Sequence, residues 1–201
     1  MGTLISLQIE LNAIRSFLQN VVNSAEVEYS RIKALADAGK FLHYDDEANA
    51  YFTPEMWEKI AIHAALGELN ALVEWELCNL ANKTFFEKEN ASKKKHLRRA
   101  NEIIERIESY YKIKFRDLKD YKQIKLIRSM VNSFKHRKGF KDYLKDGCST
   151  LGAKFEVSRK EAFQSIDSVE RFFKELWSNT GQTHMHNKAL KRDAAKSRRA
   201  P

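Results

Sequence analysis

The stretch that decides the fold is residues 4–39, LISLQIELNAIRSFLQNVVNSAEVEYSRIKALADAG. Within it Leu7, Leu11, Ile14, Leu18, Val21, Ala25, Ile32 and Leu35 recur at spacings of three, four or seven, and the rhythm breaks only at Glu28. A helix turns once in about 3.6 residues, so these side chains share one face and the polar ones take the other. The pattern predicts a long amphipathic helix from Leu4 that stops at Gly39, where a left-handed C-cap suits glycine.

Working outward, Lys40 to Phe52 mixes aromatic residues with Asp45, Asp46 and Glu47 and reads as a connecting loop. Thr53 offers an N-cap and Pro54 suits the first helical position, where its missing N–H costs nothing. A second long helix is expected from there, with Ile62, Leu66, Leu69, Val73, Leu77 and Leu80 as its stripe and Trp57 and Trp75 adding bulk. Asn82 to Arg99 is polar and basic with little to bury. Ile103, Ile104, Ile107 and Tyr111 mark a third, shorter helix. A fourth is expected from near Leu118 to Gly139, burying Ile124, Ile127, Met130, Val131 and Phe134. Ser158-Arg159-Lys160-Glu161 matches a capping box, in which Ser and Glu satisfy each other's backbone donors. A fifth helix starts there, with Ala162, Phe163, Ile166, Val169, Phe173, Leu176 and Trp177 inward.

Composition points the same way. Seven Gly and two Pro in 201 residues leave few sites for the tight turns of a sandwich or barrel. The fold class expected is therefore all-α, a bundle of four to five helices with two long N-terminal ones. The bundle domain is assigned to residues 1–179, and residues 180–201 are expected to form a disordered basic tail. No apolar run approaches the roughly 20 residues that span a bilayer, and Met1-Gly2-Thr3-Leu4 lacks a charged secretory flank. These features predict a cytoplasmic protein with no membrane partner. Cys78 and Cys148 have neither the number nor the spacing of a disulfide framework or zinc site, and read as packing residues.

The net charge of +9 is unevenly spread. Residues 1–82 carry five Lys/Arg against twelve Asp/Glu, and residues 83–201 carry thirty-one against fifteen. One half repels phosphate and the other attracts it, which points to a polyanion-binding surface, or else to a Lys-rich solvated one. In the tail six basic residues face Asp193 alone. There His184 and His186 make at most a weak chelating pair. Glu68, Glu74 and Glu76 are scattered around their helix and read as solvated. Trp57, Trp75 and Trp177 lie in or beside apolar stripes, and core packing is the expectation for each.

The run Arg128-Ser-Met-Val-Asn132-Ser-Phe-Lys-His136-Arg137 places Arg128, Asn132 and His136 four residues apart. Each step of four drifts only about 40° around a helix, so the three form one ladder beside the apolar stripe. Lys125 falls within that arc and Lys135 at its edge, while Arg137 and Lys138 extend the basic character. Such a strip suits a phosphodiester. A neutral His takes a proton from a ribose 2′-hydroxyl or returns one to a leaving oxygen, Arg braces phosphate oxygens bidentately, and Asn orients either group. The scheme calls for no metal and no cofactor. The plainer account is a pair of polar residues near a helix end, His136 stabilised by the helix dipole and Arg128 by a neighbouring carboxylate.

An all-helical domain with Arg-…-Val-Asn-Ser-Phe-Lys-His-Arg on its penultimate helix resembles the HEPN superfamily (higher eukaryote and prokaryote nucleotide-binding). The resemblance covers residues 1–178, and its motif covers residues 128–137. It implies a helical bundle that forms a homodimer, with the motif helices of two subunits lining a basic cleft. It also implies RNA as the partner, a metal-independent endoribonuclease activity of toxin or phage-defence type, and an antitoxin or other protein partner. Arg128, Asn132 and His136 would be the catalytic residues, with Lys125, Lys135, Arg137 and Lys138 binding nucleic acid. Seven residues separate Arg128 from His136, more than in the family's active enzymes, and Val131 precedes Asn132. Either Arg128 reaches the phosphate from one turn further back, or RNA binding remains without cleavage. The rival class is a noncatalytic helical interaction module whose acidic first half pairs with a partner.

Overall fold

The computed structural model describes residues 4–86, 100–137 and 156–181, which are helical apart from short connections and contain no strand. The helices are α1 (Leu4–Asp37), α2 (Tyr44–Phe86), α3 (Ala100–Tyr111), α4 (Tyr121–Arg137) and α5 (Arg159–Asn179), with a 3₁₀ turn at Phe115–Asp117 between α3 and α4. The expected tail lies outside the described residues, as do Lys138, Gly139, Cys148, His184 and His186.

α1 ends as its sequence predicts. Gly39 sits at φ +62°, its N–H reaches the Ala36 carbonyl, and the Lys40 N–H reaches that of Leu35. This pair of bonds is the Schellman arrangement, and it needs the left-handed residue that glycine supplies without a Cβ penalty. The start of α5 also matches. The Ser158 N–H donates to Glu161 Oε2 at 2.8 Å and the Glu161 N–H donates to Ser158 Oγ at 3.2 Å, so the capping box is closed.

The start of α2 corrects the reading of residues 40–52. The helix begins at Tyr44, so most of the expected loop is helical and Pro54 lies inside the helix rather than at its first turn. The first turn itself favours a helix start there, since Asp45, Asp46 and Glu47 lie at the positive end of the helix dipole. Tyr51, one turn before Pro54, is stacked on Tyr29 of α1 with ring centroids 6.1 Å apart. Pro54 deletes the N–H that would bond the Ala50 carbonyl, and the flanking turns carry the helix across that gap. At its other end α2 runs on through Phe86, so the first five residues of the polar stretch after Ala81 are helical too.

The chain forms two compact units, each assembled from separate segments, and the four longest helices contribute residues to both. The unit of residues 10–70 and 126–166 buries Leu11, Leu18, Val22, Ala25 and Ile32 of α1 against Ala61, Ile62, Leu66 and Leu69 of α2, with Ile127, Val131 and Ile166. Arg159 ties its surface. Its guanidinium forks onto Glu58 at 2.7 and 3.0 Å and also meets Glu26, joining α5, α2 and α1. These carboxylates hold the guanidinium's pKa above its already high ordinary value.

The unit of residues 1–9, 71–125 and 167–201 is built around Phe115. Phe115 is buried against Tyr121 and Phe172, with ring centroids 5.5 and 5.9 Å apart. Its N–H donates to Glu108 at 2.7 Å, and the N–H of Lys119 donates to Glu175 at 2.6 Å. Asp120 adopts φ +61°, a left-handed conformation that Asp tolerates better than most residues, and Arg171 forks onto its carboxylate at 2.8 and 3.1 Å.

The Arg171 hydrogen bonds hold the Asp120 pKa below its ordinary value of 3.8. A depressed folded pKa contributes stability that is present above the unfolded value and is lost as pH falls through the folded one. Asp120→Asn keeps the left-handed turn, lowers stability by about 1 kcal/mol at neutral pH because Arg171 is half exposed, and flattens the acid limb below pH ~4. Urea unfolding of both proteins between pH 2 and 7 checks this, and parallel acid limbs would sink it.

Candidate nucleic-acid interface

α4 is helical because apolar residues line one arc of it and neither Gly nor Pro interrupts it between Tyr121 and Arg137. Ile124, Ile127, Met130 and Val131 are buried, and Ser133 turns its hydroxyl back to the Met130 carbonyl at 2.8 Å. That burial fixes the orientation of everything else on the helix. Lys125 and Asn132 are exposed and Arg128 is half-buried, so the arc just beside the core contains polar groups that reach solvent. His136, Lys135 and Arg137 are residues of the last turn of α4.

The charge on α4 is all of one sign. Its seventeen residues include Lys122, Lys125, Arg128, Lys135 and Arg137 and not one carboxylate. Arginines elsewhere are used differently, for Arg159 is held by Glu58 and Glu26 and Arg171 by Asp120. Among the described residues no carboxylate forms an ion pair with Arg128 or Lys125. The plainer expectation that Arg128 is neutralised by a neighbouring acid therefore has no described residue to fulfil it.

One residue beside α4 was not singled out by spacing. His63 of α2 is stacked on Phe134, with ring centroids 3.9 Å apart and planes 28° apart. This places an exposed imidazole against the α4 side chain two residues before His136. Only the packing of the two helices brings the pair together, since 71 positions separate them in the chain.

Three other expectations change. Trp57 and Trp75 are 43% and 64% exposed, so they are not core residues, whereas Trp177 is buried as expected. Each exposed indole lies on the side of α2 facing away from Leu66 and Leu69, because the same helix also carries apolar residues on its outer face. Glu76, expected in solvent, is buried, and it has an interaction partner. Cys78 is half-buried and burial pushes its thiol pKa up, which suits a packing role and not a reactive one. A separate open cleft of roughly 450 Å³ is lined by Glu105, Glu108, Lys114 and Arg116, a balanced charge set that shows no preference for an anion.

No family model matches the chain, and neither a curated protein nor a solved structure does. No helix among the described residues is long and apolar enough to cross a membrane.

Because no described carboxylate pairs with Arg128, Arg128→Ala is expected to cost no more than about 1 kcal/mol, from the packing of a half-buried side chain and not from a lost ion pair. Arg159→Ala leaves Glu58 unpaired and half-buried, and is expected to cost about 1–3 kcal/mol. Chemical denaturation of the two variants measures the contrast, and an equal loss would place Arg128 in a structural ion pair. Acrylamide is expected to quench Trp57 and Trp75 freely in a Trp177→Phe protein and to reach Trp177 poorly in a Trp57→Phe/Trp75→Phe protein.

Proposed function

We propose that this protein binds RNA through the basic strip of α4 and cleaves it without a metal as a homodimer, in the manner the HEPN resemblance implies. The observation that carries this reading is the unbalanced charge of α4, where exposed Lys125 and half-buried Arg128 lie beside Asn132 with no described carboxylate to neutralise them. Phosphate is the complementary ligand. A protein that releases counterions from a nucleic acid with several Lys/Arg gains an affinity that falls steeply with salt.

The chemistry follows from the residue types. Arg128 holds two non-bridging phosphate oxygens through its fork, and Asn132 donates or accepts to fix the ribose. The His136 imidazole takes the proton of the 2′-hydroxyl as that oxygen bonds to phosphorus. The bond from phosphorus to the 5′-oxygen breaks, and an imidazolium returns a proton to that leaving oxygen. The products are a 2′,3′-cyclic phosphate and a 5′-hydroxyl end. In a dimer the two motif helices supply one imidazole for each transfer. A binding protein without cleavage is the form this reading takes if Arg128, one turn further from His136 than in the family's enzymes, fails to reach the reacting phosphate.

A labelled total-RNA pool incubated in EDTA with wild type, His136→Ala and Arg128→Ala tests the proposal, each protein being checked for folding by circular dichroism. Cleavage leaving cyclic-phosphate ends, lost in both folded variants, is the expected result. Salt-steep binding without cleavage, weakened by Arg128→Ala and Lys125→Ala, reduces the reading to RNA binding. Absence of both from folded wild type sinks it.

A further inference from the structure

α2 has two apolar faces, and only one of them is buried. Ala61, Ile62, Ala65, Leu66 and Leu69 face the core of their unit. On the outward side Phe52, Met56, Ile60 and Ala64 follow one another at steps of four and therefore form a single ladder, with Trp57 alongside. Phe52 and Ile60 are each 59% exposed and Met56 between them is half-buried, so apolar surface reaches water along this flank of the helix and is not a scatter of single residues.

Gly67 continues the strip and gives it a second, independent peculiarity. It lies inside α2, where glycine is the poorest helix former after proline. A Cβ added there would meet nothing within 4 Å among the described residues, so their packing gives no reason for it. A glycine that none of the described residues requires is explained when another backbone comes close to it. Together Ala64 and Gly67 form a low floor bounded by the large side chains of Trp57 and Ile60, the shape that receives a helix.

The charges bordering the strip choose the occupant. Asp45 and Asp46 lie on its arc at one end and Glu68 at the other, all exposed, while Lys59 beside it is paired with Glu55. Two copies of this face would oppose acid to acid, which disfavours self-pairing. We infer that the outward face of α2 from Phe52 to Glu68 is a docking surface for a basic amphipathic helix of another protein, which lays its apolar side on Trp57 and Ile60 and its backbone over Gly67. This surface is carried by α2 and borders α4 at His63, which lies one turn from both Ile60 and Gly67 and stacks on Phe134; it does not rest on the RNA-binding reading.

The probe is a synthetic helical peptide with leucine at heptad a and d positions and lysine elsewhere, titrated by calorimetry against the full chain. The control peptide carries glutamate in place of lysine. The proposal expects the lysine peptide to bind and the glutamate peptide not to. Ile60→Asp and Gly67→Leu should each weaken binding at least about tenfold, since both spoil a central contact. Val27→Asp, at an exposed position on α1, should leave binding unchanged. Gly67→Leu should at the same time raise the melting temperature, because leucine favours helix and its Cβ meets no described atom within 4 Å. Equal binding of both peptides, or binding indifferent to Ile60→Asp and Gly67→Leu, overturns the proposal. A melting temperature lowered by Gly67→Leu overturns it too, by showing that the chain covers this face itself. A concentration-dependent dimer abolished by Ile60→Asp overturns it in favour of a second copy.

Discussion

A helix can bury only one arc of its surface against a given neighbour, and that constraint on α4 governs the candidate site. Once Ile124, Ile127 and Val131 are committed to the interior, the positions one step around the helix have no freedom left. Arg128 falls at the margin of the core, half-buried, and Asn132 falls beyond it in water. An arginine at such a margin packs its aliphatic stem and keeps its charged head in water, which favours a well-oriented cation over a mobile one. Register along α4 is fixed at its start as well, because the preceding turn is closed by Phe115, by the left-handed Asp120 and by the fork of Arg171.

The protein separates two uses of arginine. Arg159 and Arg171 each meet a carboxylate through two nitrogens, and each joins elements distant in sequence. Such half-exposed forks contribute modestly to stability, and their greater effect is to fix which surfaces meet. The acidic side chains of the first half are partly spent on this, since both partners of Arg159 belong to it. α4 has no such partner within its own sequence. The asymmetry between the acidic first half and the basic second half is therefore not only a matter of composition. It leaves Lys125 and Arg128 on one helix without a described carboxylate partner.

Much of the fold was legible because its signals are local. The spacing of Leu7, Leu11 and Leu18, the glycine at 39 and the Ser158–Glu161 box each report a helix or its end through residues within a turn or two of one another. The beginning of α2 was not, because Thr53-Pro54 makes a start signal that competes with the acidic triplet at 45–47, and Tyr51, between the two signals, also stacks on Tyr29, a residue 22 positions away. Trp57, Trp75 and Glu76 were misplaced for a related reason. Periodicity ranks residues by hydropathy, and α2 carries apolar residues on both sides, so hydropathy alone cannot tell which side meets the core. Of the site, the ladder on α4 was legible as a spacing, but the stacking of His63 on Phe134 depends on how two helices pack.

The double-faced character of α2 also bears on what kind of protein this is. An exposed Phe, Ile and Trp on one helix, with a glycine where leucine or alanine favours helix more, lowers solubility and helix stability without a return among the described residues. An RNA-binding strip on α4 does not require any of it. Conversely, a surface for a protein partner on α2 gives no account of a helix with five cations and no acid. The two features differ in charge, in polarity and in the helix that bears them, so a single ligand does not explain both. A protein that engages a nucleic acid by one helix and a basic protein segment by another satisfies each, and it places a polyanion and a polycation on surfaces of opposite sign. On such a molecule the partner's cations have α2 to meet rather than α4, and occupation of one surface does not neutralise the other.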